Sequence, residues 1–194
     1  AKAVRLHQVV KGMLMFSSNA NTAYLLERLG RGRLNARIQA LGLSPHDSIY
    51  DFIGALFSIA RADSVPHDSF MRALKARSSA AYRAAAARYH NRLRADSTFR
   101  NGIRSLDFDA QKVWSDRLPG ASARAYHSLM QRINARAFGD SVHRYLTQVL
   151  EFITDSPANR KWLQHAGTKG GSTLFVLTKA FYATDSAGQR TAGA

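Results

Sequence analysis

The chain has 194 residues, 45% of them hydrophobic and 21% charged, which is the balance of a folded domain and not of a disordered one. It contains no cysteine, so disulfides, thiolate zinc sites and cysteine nucleophiles are excluded. Lys and Arg number 28 against 13 Asp and Glu, a net charge of +15, which favours anionic partners such as nucleic acid, acidic lipid or acidic wall polymer.

The opening AKAVRLHQVV shows no basic-then-apolar leader pattern and reads as the middle of a helix, as expected for an internal piece of a longer protein. No apolar run approaches the roughly 18 residues that span a bilayer. Leu6, Val9, Val10, Met13 and Leu14 recur at helical spacing and predict an amphipathic helix running into Ser17-Ser18-Asn19. Asn19 or Asn21 is placed to cap a second helix, TAYLLERL, which Gly30 stops. A third, LNARIQAL, ends at Gly42, before a looser stretch with an apolar centre and turn residues at both ends.

From Phe70 to about Arg94 the Ala- and Arg-rich sequence predicts one helix with Tyr82, Ala85, Ala86, Tyr89 and Leu93 along one face. DAQKVWSDRL is a short helix closed by Pro119-Gly120, and two more are expected from about Ser122 to Phe138 and from about Ser141 to Ile153. After Pro157 the pattern turns to β-branched and aromatic residues in near alternation. That predicts a strand at about Thr173 to Thr184, a turn at DSAGQ and the start of a second strand. A lone hairpin is marginal in water, so this one is expected to belong to a larger antiparallel sheet. PHDS occurs twice, at Pro45 to Ser48 and Pro66 to Ser69, too short a match for a structural repeat.

Charge is uneven. Arg72 to Arg104 carries nine basic residues against one acid, Asp96, and so +8 of the total. Phosphate binding by this segment is one reading, but a solvated helix face is favoured over a nucleic-acid site, with Tyr82 and Tyr89 fitting a buried stripe better than a stacking platform. His46-Asp47 and His67-Asp68 are the best metal-ligand pairs, yet Asp and Ser after Pro-His also make ordinary turns and caps, so no metal is assigned. No Gly-x-Ser-x-Gly elbow occurs.

Two short motifs remain. Ser17-Ser18-Asn19 sits between two helices, and Lys169-Gly170-Gly171-Ser172 immediately precedes the expected strand. Here the sequence resembles the serine β-lactamase and penicillin-binding protein superfamily, particularly its class A-like branch, which carries Ser-x-x-Lys, then Ser-Asp-Asn, then Lys-Thr/Ser-Gly on an edge strand. GMLMFSSNANTAYLLERLG resembles the family's helix, motif turn and following helix. LNARIQALGL and LPGASARAYHSLMQRI resemble later helices, and HAGTKGGSTLFVLTKAFYATDSAGQ resembles the third-motif strand with its returning partner. The likeness covers most of the chain and is thinnest in the Ala/Arg-rich middle.

The resemblance implies an α+β fold of the β-lactamase/transpeptidase type, present as one partial domain, with a helical region over 1–156 and the third-motif strand and hairpin over 166–194. It implies that Ser17 relays a proton to the departing atom in acyl transfer, that Asn19 binds substrate amide, and that Lys169 places positive charge beside that serine. Gly170 and Gly171 would admit the substrate backbone, and Ser172 would donate an oxyanion-hole N–H. No cofactor is implied. Location in the periplasm, outside the cell or at the cell envelope, and an acyl substrate that is an amide, ester or lactam, come from the family alone.

The departures are specific. No Ser-x-x-Lys occurs in the 194 residues, so the nucleophile is expected from a preceding segment of the same domain, and this chain alone is expected to be inactive. Ser18 stands where the family usually has Asp, and Gly170 replaces the usual hydroxyl residue. The two Glu residues, Glu27 and Glu151, fall inside expected helices, while Asp51 and Asp63 lie in no matching pattern, which speaks against efficient β-lactam hydrolysis. The alternative is a non-catalytic domain on the same scaffold that binds an anionic or cell-wall partner through its basic face.

Overall fold

The structure is a computed structural model that describes residues 3–62, 64–102 and 107–194. In chain order it forms α1 (Leu6–Phe16), α2 (Asn19–Leu29), α3 (Arg31–Ala40), α4 (Phe52–Ser58), α5 (His67–Ala76) and α6 (Ser79–Ala95). These are followed by α7 (Ser97–Gly102), α8 (Phe108–Asp116), α9 (Ala123–Asn134), α10 (Asp140–Leu150), a 3-10 turn (Phe152–Asp155) and α11 (Pro157–Arg160). The chain closes with β1 (Leu163–Ser172), β2 (Leu177–Asp185) and β3 (Arg190–Gly193), an antiparallel sheet in the order β1-β2-β3. This is a mostly helical α+β chain with its sheet at the C-terminal end. No helix among the described residues is long and apolar enough to cross a membrane.

The chain divides into two compact units. Unit one comprises Ala1–His46, Ala121–Ser172 and Leu177–Ala194. Its core follows from the alternation of β2, where Ala180, Tyr182 and Thr184 are buried while Leu177, Lys179 and Phe181 are exposed. Ala180 and Tyr182 pack with Met130 and Ile133 of α9 and Val149 and Leu150 of α10, and Val10 and Leu14 of α1 close over the same cluster. The Thr184 hydroxyl donates to Asn134 Oδ1 at 2.7 Å, and Asn134 Nδ2 donates to the Ala183 carbonyl at 2.9 Å, which stitches α9 to β2.

Unit two comprises Asp47–Gly120 and Thr173–Val176. Its core gathers Ile59, Met71, Leu74, Tyr82, Ala86 and Val113. The expected stripe on α6 is where it should be, with Tyr82, Ala85 and Ala86 buried, His90 joining them, and Tyr89 half-buried against Phe99. Gly54 of α4 meets α6 so closely that a Cβ there would overlap the Ala86 carbonyl and come within 2.7 Å of the His90 nitrogen. Only glycine permits that approach.

Three expectations are corrected. The single helix over Phe70 to Arg94 is two helices, because Arg77 is extended (φ −60°, ψ 127°) and the Ser78 side chain accepts from Ala81 N–H to start α6. Arg117 secures the break by donating to the carbonyls of Arg77 and Lys75, each at 3.0 Å. The strand expected at Thr173 to Thr184 is in fact the turn and second arm of a hairpin, and the first strand is β1, beginning at Leu163. The Lys-Gly-Gly motif therefore lies on a strand and does not precede one. Finally, Ser18 caps α2, accepting from Asn21 N–H at 3.3 Å, in place of Asn19 or Asn21. Asp63 and Arg104 lie outside the described residues.

Candidate functional site

The first motif is shaped by how α1 ends. Ser17 adopts the left-handed conformation (φ 50°, ψ 39°), with its N–H donating back to the Gly12 carbonyl. This conformation is uncommon away from glycine and is often tied to function. The next residue starts α2, as Ser18 is extended and its carbonyl accepts from Thr22 N–H at 3.0 Å. The chain thus reverses within two residues and leaves the Ser17 side chain exposed.

Lys169 approaches from the sheet. It pairs with Ala180 across β1 and β2, so it shares the face that carries Ala180 and Tyr182 toward the helices. Its Nζ donates to Ser17 Oγ at 2.7 Å and also to the Gly170 carbonyl. Both residues belong to unit one. Partial burial holds the Lys169 ammonium below the ordinary lysine range. An amine held below that range beside a hydroxyl is equipped to exchange a proton with it, and in its charged form it attracts an anionic substrate group.

The remaining motif residues are placed as follows. Asn19 is exposed at the first position of α2, and among the described residues no hydrogen bond joins its side chain to Ser17 or Lys169. Gly171 pairs with Thr178 on the Lys169 face, whose hydroxyl donates to the Gly171 carbonyl at 3.2 Å, whereas Gly170 pairs with Lys179 on the other face. Thr173 N–H donates to the Val176 carbonyl at 2.9 Å and closes the hairpin as a hydrogen-bonded pair. The next pair, Ser172 with Leu177, is then a non-hydrogen-bonded one, so the Ser172 N–H points away from β2 along the edge of the sheet.

One polar cluster escaped the sequence reading, and a second enlarges the expected His67-Asp68 pair. Glu151 is not inside a helix but caps the C-terminus of α10, where it is buried. It accepts from the Tyr182 hydroxyl at 3.0 Å, and its other oxygen lies 3.2 Å from His165 Nδ1. Arg136 Nη2, which is donor-only, lies 3.3 Å from His165 Nε2, so Nε2 accepts and Nδ1–H donates to Glu151. Burial and the Glu151 charge both push the Tyr182 phenol up. Separation in sequence hid this chain, since its members come from four separate parts of the chain, two of them strands and two of them turns.

In unit two, His67 Nε2 lies 3.2 Å from Asp107 and 3.7 Å from Asp109, and the three offer ligand atoms within 4.8 Å of one another. The hydrogen bond to Asp68 leads, with the Asp107 charge, in raising the His67 pKa. Asp107 is already occupied in capping α8, accepting from Asp109 N–H at 2.9 Å and Ala110 N–H at 3.2 Å. The other expected pair does not act as one: His46 faces the Tyr126 hydroxyl at 3.3 Å, and Asp47 accepts from Gly120 N–H at 2.9 Å. No protein-family model matches the chain, and neither the curated proteins nor the solved structures contain a match to it.

Proposed function

We propose that the chain forms the second- and third-motif part of a serine hydrolase of the β-lactamase and penicillin-binding type, on that family's α+β scaffold. The observation that carries the reading is the 2.7 Å hydrogen bond between Lys169 Nζ and Ser17 Oγ, made by residues 152 apart in sequence. Ser17 relays a proton to the leaving atom, while Lys169 tunes that hydroxyl and attracts an anionic substrate group. The outward Ser172 N–H supplies one oxyanion donor, and losing one such donor typically costs about 3–4 kcal/mol of transition-state stabilisation. The nucleophile comes from a Ser-x-x-Lys segment outside these 194 residues, and the protein acts at the cell envelope. The substrate is an amide, ester or lactam.

The test is labelling of the intact natural protein with a fluorescent penicillin and with a fluorophosphonate. Acylation is expected to fall by about 100-fold or more in Ser17→Ala and Lys169→Ala. Unchanged labelling in both variants removes the proposed roles.

A second reading keeps the scaffold without catalysis. It is favoured by Gly170 at the usual hydroxyl position and by the exposed Arg72, Lys75, Arg83, Arg88, Arg92 and Arg94. It predicts salt-sensitive binding to an acidic wall polymer with no acylation.

A further inference from the structure

Within unit one, a cavity of about 580 Å³ opens between α1, the end of α10 and the start of β1, inside the roughly 300–1,000 Å³ range of ligand sites. Its lining includes His7 and Lys11 from α1, Glu151 and Asp155 around the 3-10 turn, Arg160 from α11 and His165 from β1. The charges do not balance in what they leave available. The Glu151 carboxyl already accepts from Tyr182, from His165 and, at 3.5 Å, from the Thr147 hydroxyl. Asp155 faces Arg160 at 3.9 Å, and Arg160 Nε donates to the Thr154 carbonyl at 2.6 Å. Both acids thus have partners within the protein.

Lys11 and His7 do not. They stand four residues apart on one face of α1, exposed, with no hydrogen bond or ion pair among the described residues. The cavity therefore presents the uncommitted Lys11 ammonium and the unpaired His7 imidazole among acids that already have partners within the protein. We propose that it is a binding site for a small oxyanion-bearing molecule, a carboxylate or a phosphate, with Lys11 as its ion-pairing group. This site is independent of Ser17 and Lys169, which do not line it.

The experiment must separate a site from the general attraction of a strongly basic chain. The 15N-labelled chain is titrated with inorganic phosphate and separately with N-acetylglycine at about 0.15 M salt, where surface charges are screened beyond roughly 8 Å. Saturable amide shifts centred on Lys11, Gln148 and His165 are expected from one or both probes, and the responding probe identifies the oxyanion. Lys11→Glu and Lys11→Gln are expected to weaken binding about tenfold or more. Arg83→Glu in unit two, and Ser17→Ala, are expected to leave it unchanged. Both Lys11 variants change an exposed side chain, so folding is preserved and is verified by the rest of the spectrum. Shifts that do not saturate, that scatter over the arginine-rich helices, or that persist undiminished in both Lys11 variants overturn the proposal. Neither probe can acylate a serine, so failure here leaves the acyl-transfer reading standing, and the reverse.

Discussion

Two buried tyrosines show how much the partner of a single hydroxyl matters. Tyr182 and Tyr82 are both about 2% exposed. The Tyr182 hydroxyl donates to Glu151, whereas the buried Tyr82 hydroxyl has no hydrogen-bond partner among the described residues, with the Arg117 guanidinium 4.8 Å from its ring centroid. Removing a paired donor strands the acceptor, while removing an unpaired one relieves a desolvation cost. Tyr182→Phe is therefore expected to lower stability by about 1–3 kcal/mol, and Tyr82→Phe to leave it unchanged or raise it by up to about 1 kcal/mol. Urea unfolding of the two variants checks this, and a Tyr82→Phe loss as large as that of Tyr182→Phe would count against it. Periodicity announced Tyr82 as a core residue, because it depends only on the spacing along α6. Nothing local announced Glu151, whose role depends on Tyr182 and His165 arriving from β2 and β1.

At the level of the elements, the caps and close approaches decide where the chain turns. Ser18 ends the α1–α2 reversal by accepting from Asn21 N–H, and Ser18→Ala is expected to cost about 1 kcal/mol. Because that cap also fixes the turn holding Ser17, the same variant should reduce acylation more than it reduces the melting temperature. Gly54→Ala drives a Cβ into the backbone of α6, where no side chain can swing aside. A loss of about 1–3 kcal/mol is expected, read by thermal unfolding.

The helix ends at Ser17, Gly30 and Gly42 were legible because capping chemistry is local. The break at Arg77 was not, since an Ala- and Arg-rich run is helical by propensity, and the break is secured by Arg117, forty residues away in sequence. The strand beginning at Leu163 was hidden for a related reason. Its glycines are poor strand formers, so the strand was expected to begin only after them, and pairing with β2, which sets Tyr182 against Gly167, makes that stretch extended.

Across the whole molecule, buried phenols govern the alkaline limit. Burial pushes the Tyr50 phenol up to about 12, against the opposing pull of Arg83 and Arg117. An unfolded tyrosine ionises near 10, so above that pH the unfolded chain releases its proton first and the native state loses ground. The Tyr50 contribution is expected to be constant below pH 10 and to fall by about 3 kcal/mol between pH 10 and 12. Tyr82 and Tyr182, whose phenols are also raised, add to the loss in the same direction. Chemical unfolding across that range measures it, and Tyr50→Phe should flatten the slope.

What these 194 residues settled by themselves was whatever depends on neighbours within a few positions: most of the amphipathic helices, several of the points where they stop, the absence of cysteine chemistry and the excess of positive charge. The resemblance at Ser17-Ser18-Asn19 and Lys169-Gly170-Gly171 named two distant motifs but could not show them side by side. Tertiary packing decided that. α1 lies against the core under Ala180, and the pleat turns Lys169 to the same face of the sheet, so its Nζ meets Ser17 Oγ. A 152-residue separation carries no local signal, and the contact exists only because two elements bury their apolar faces in one core.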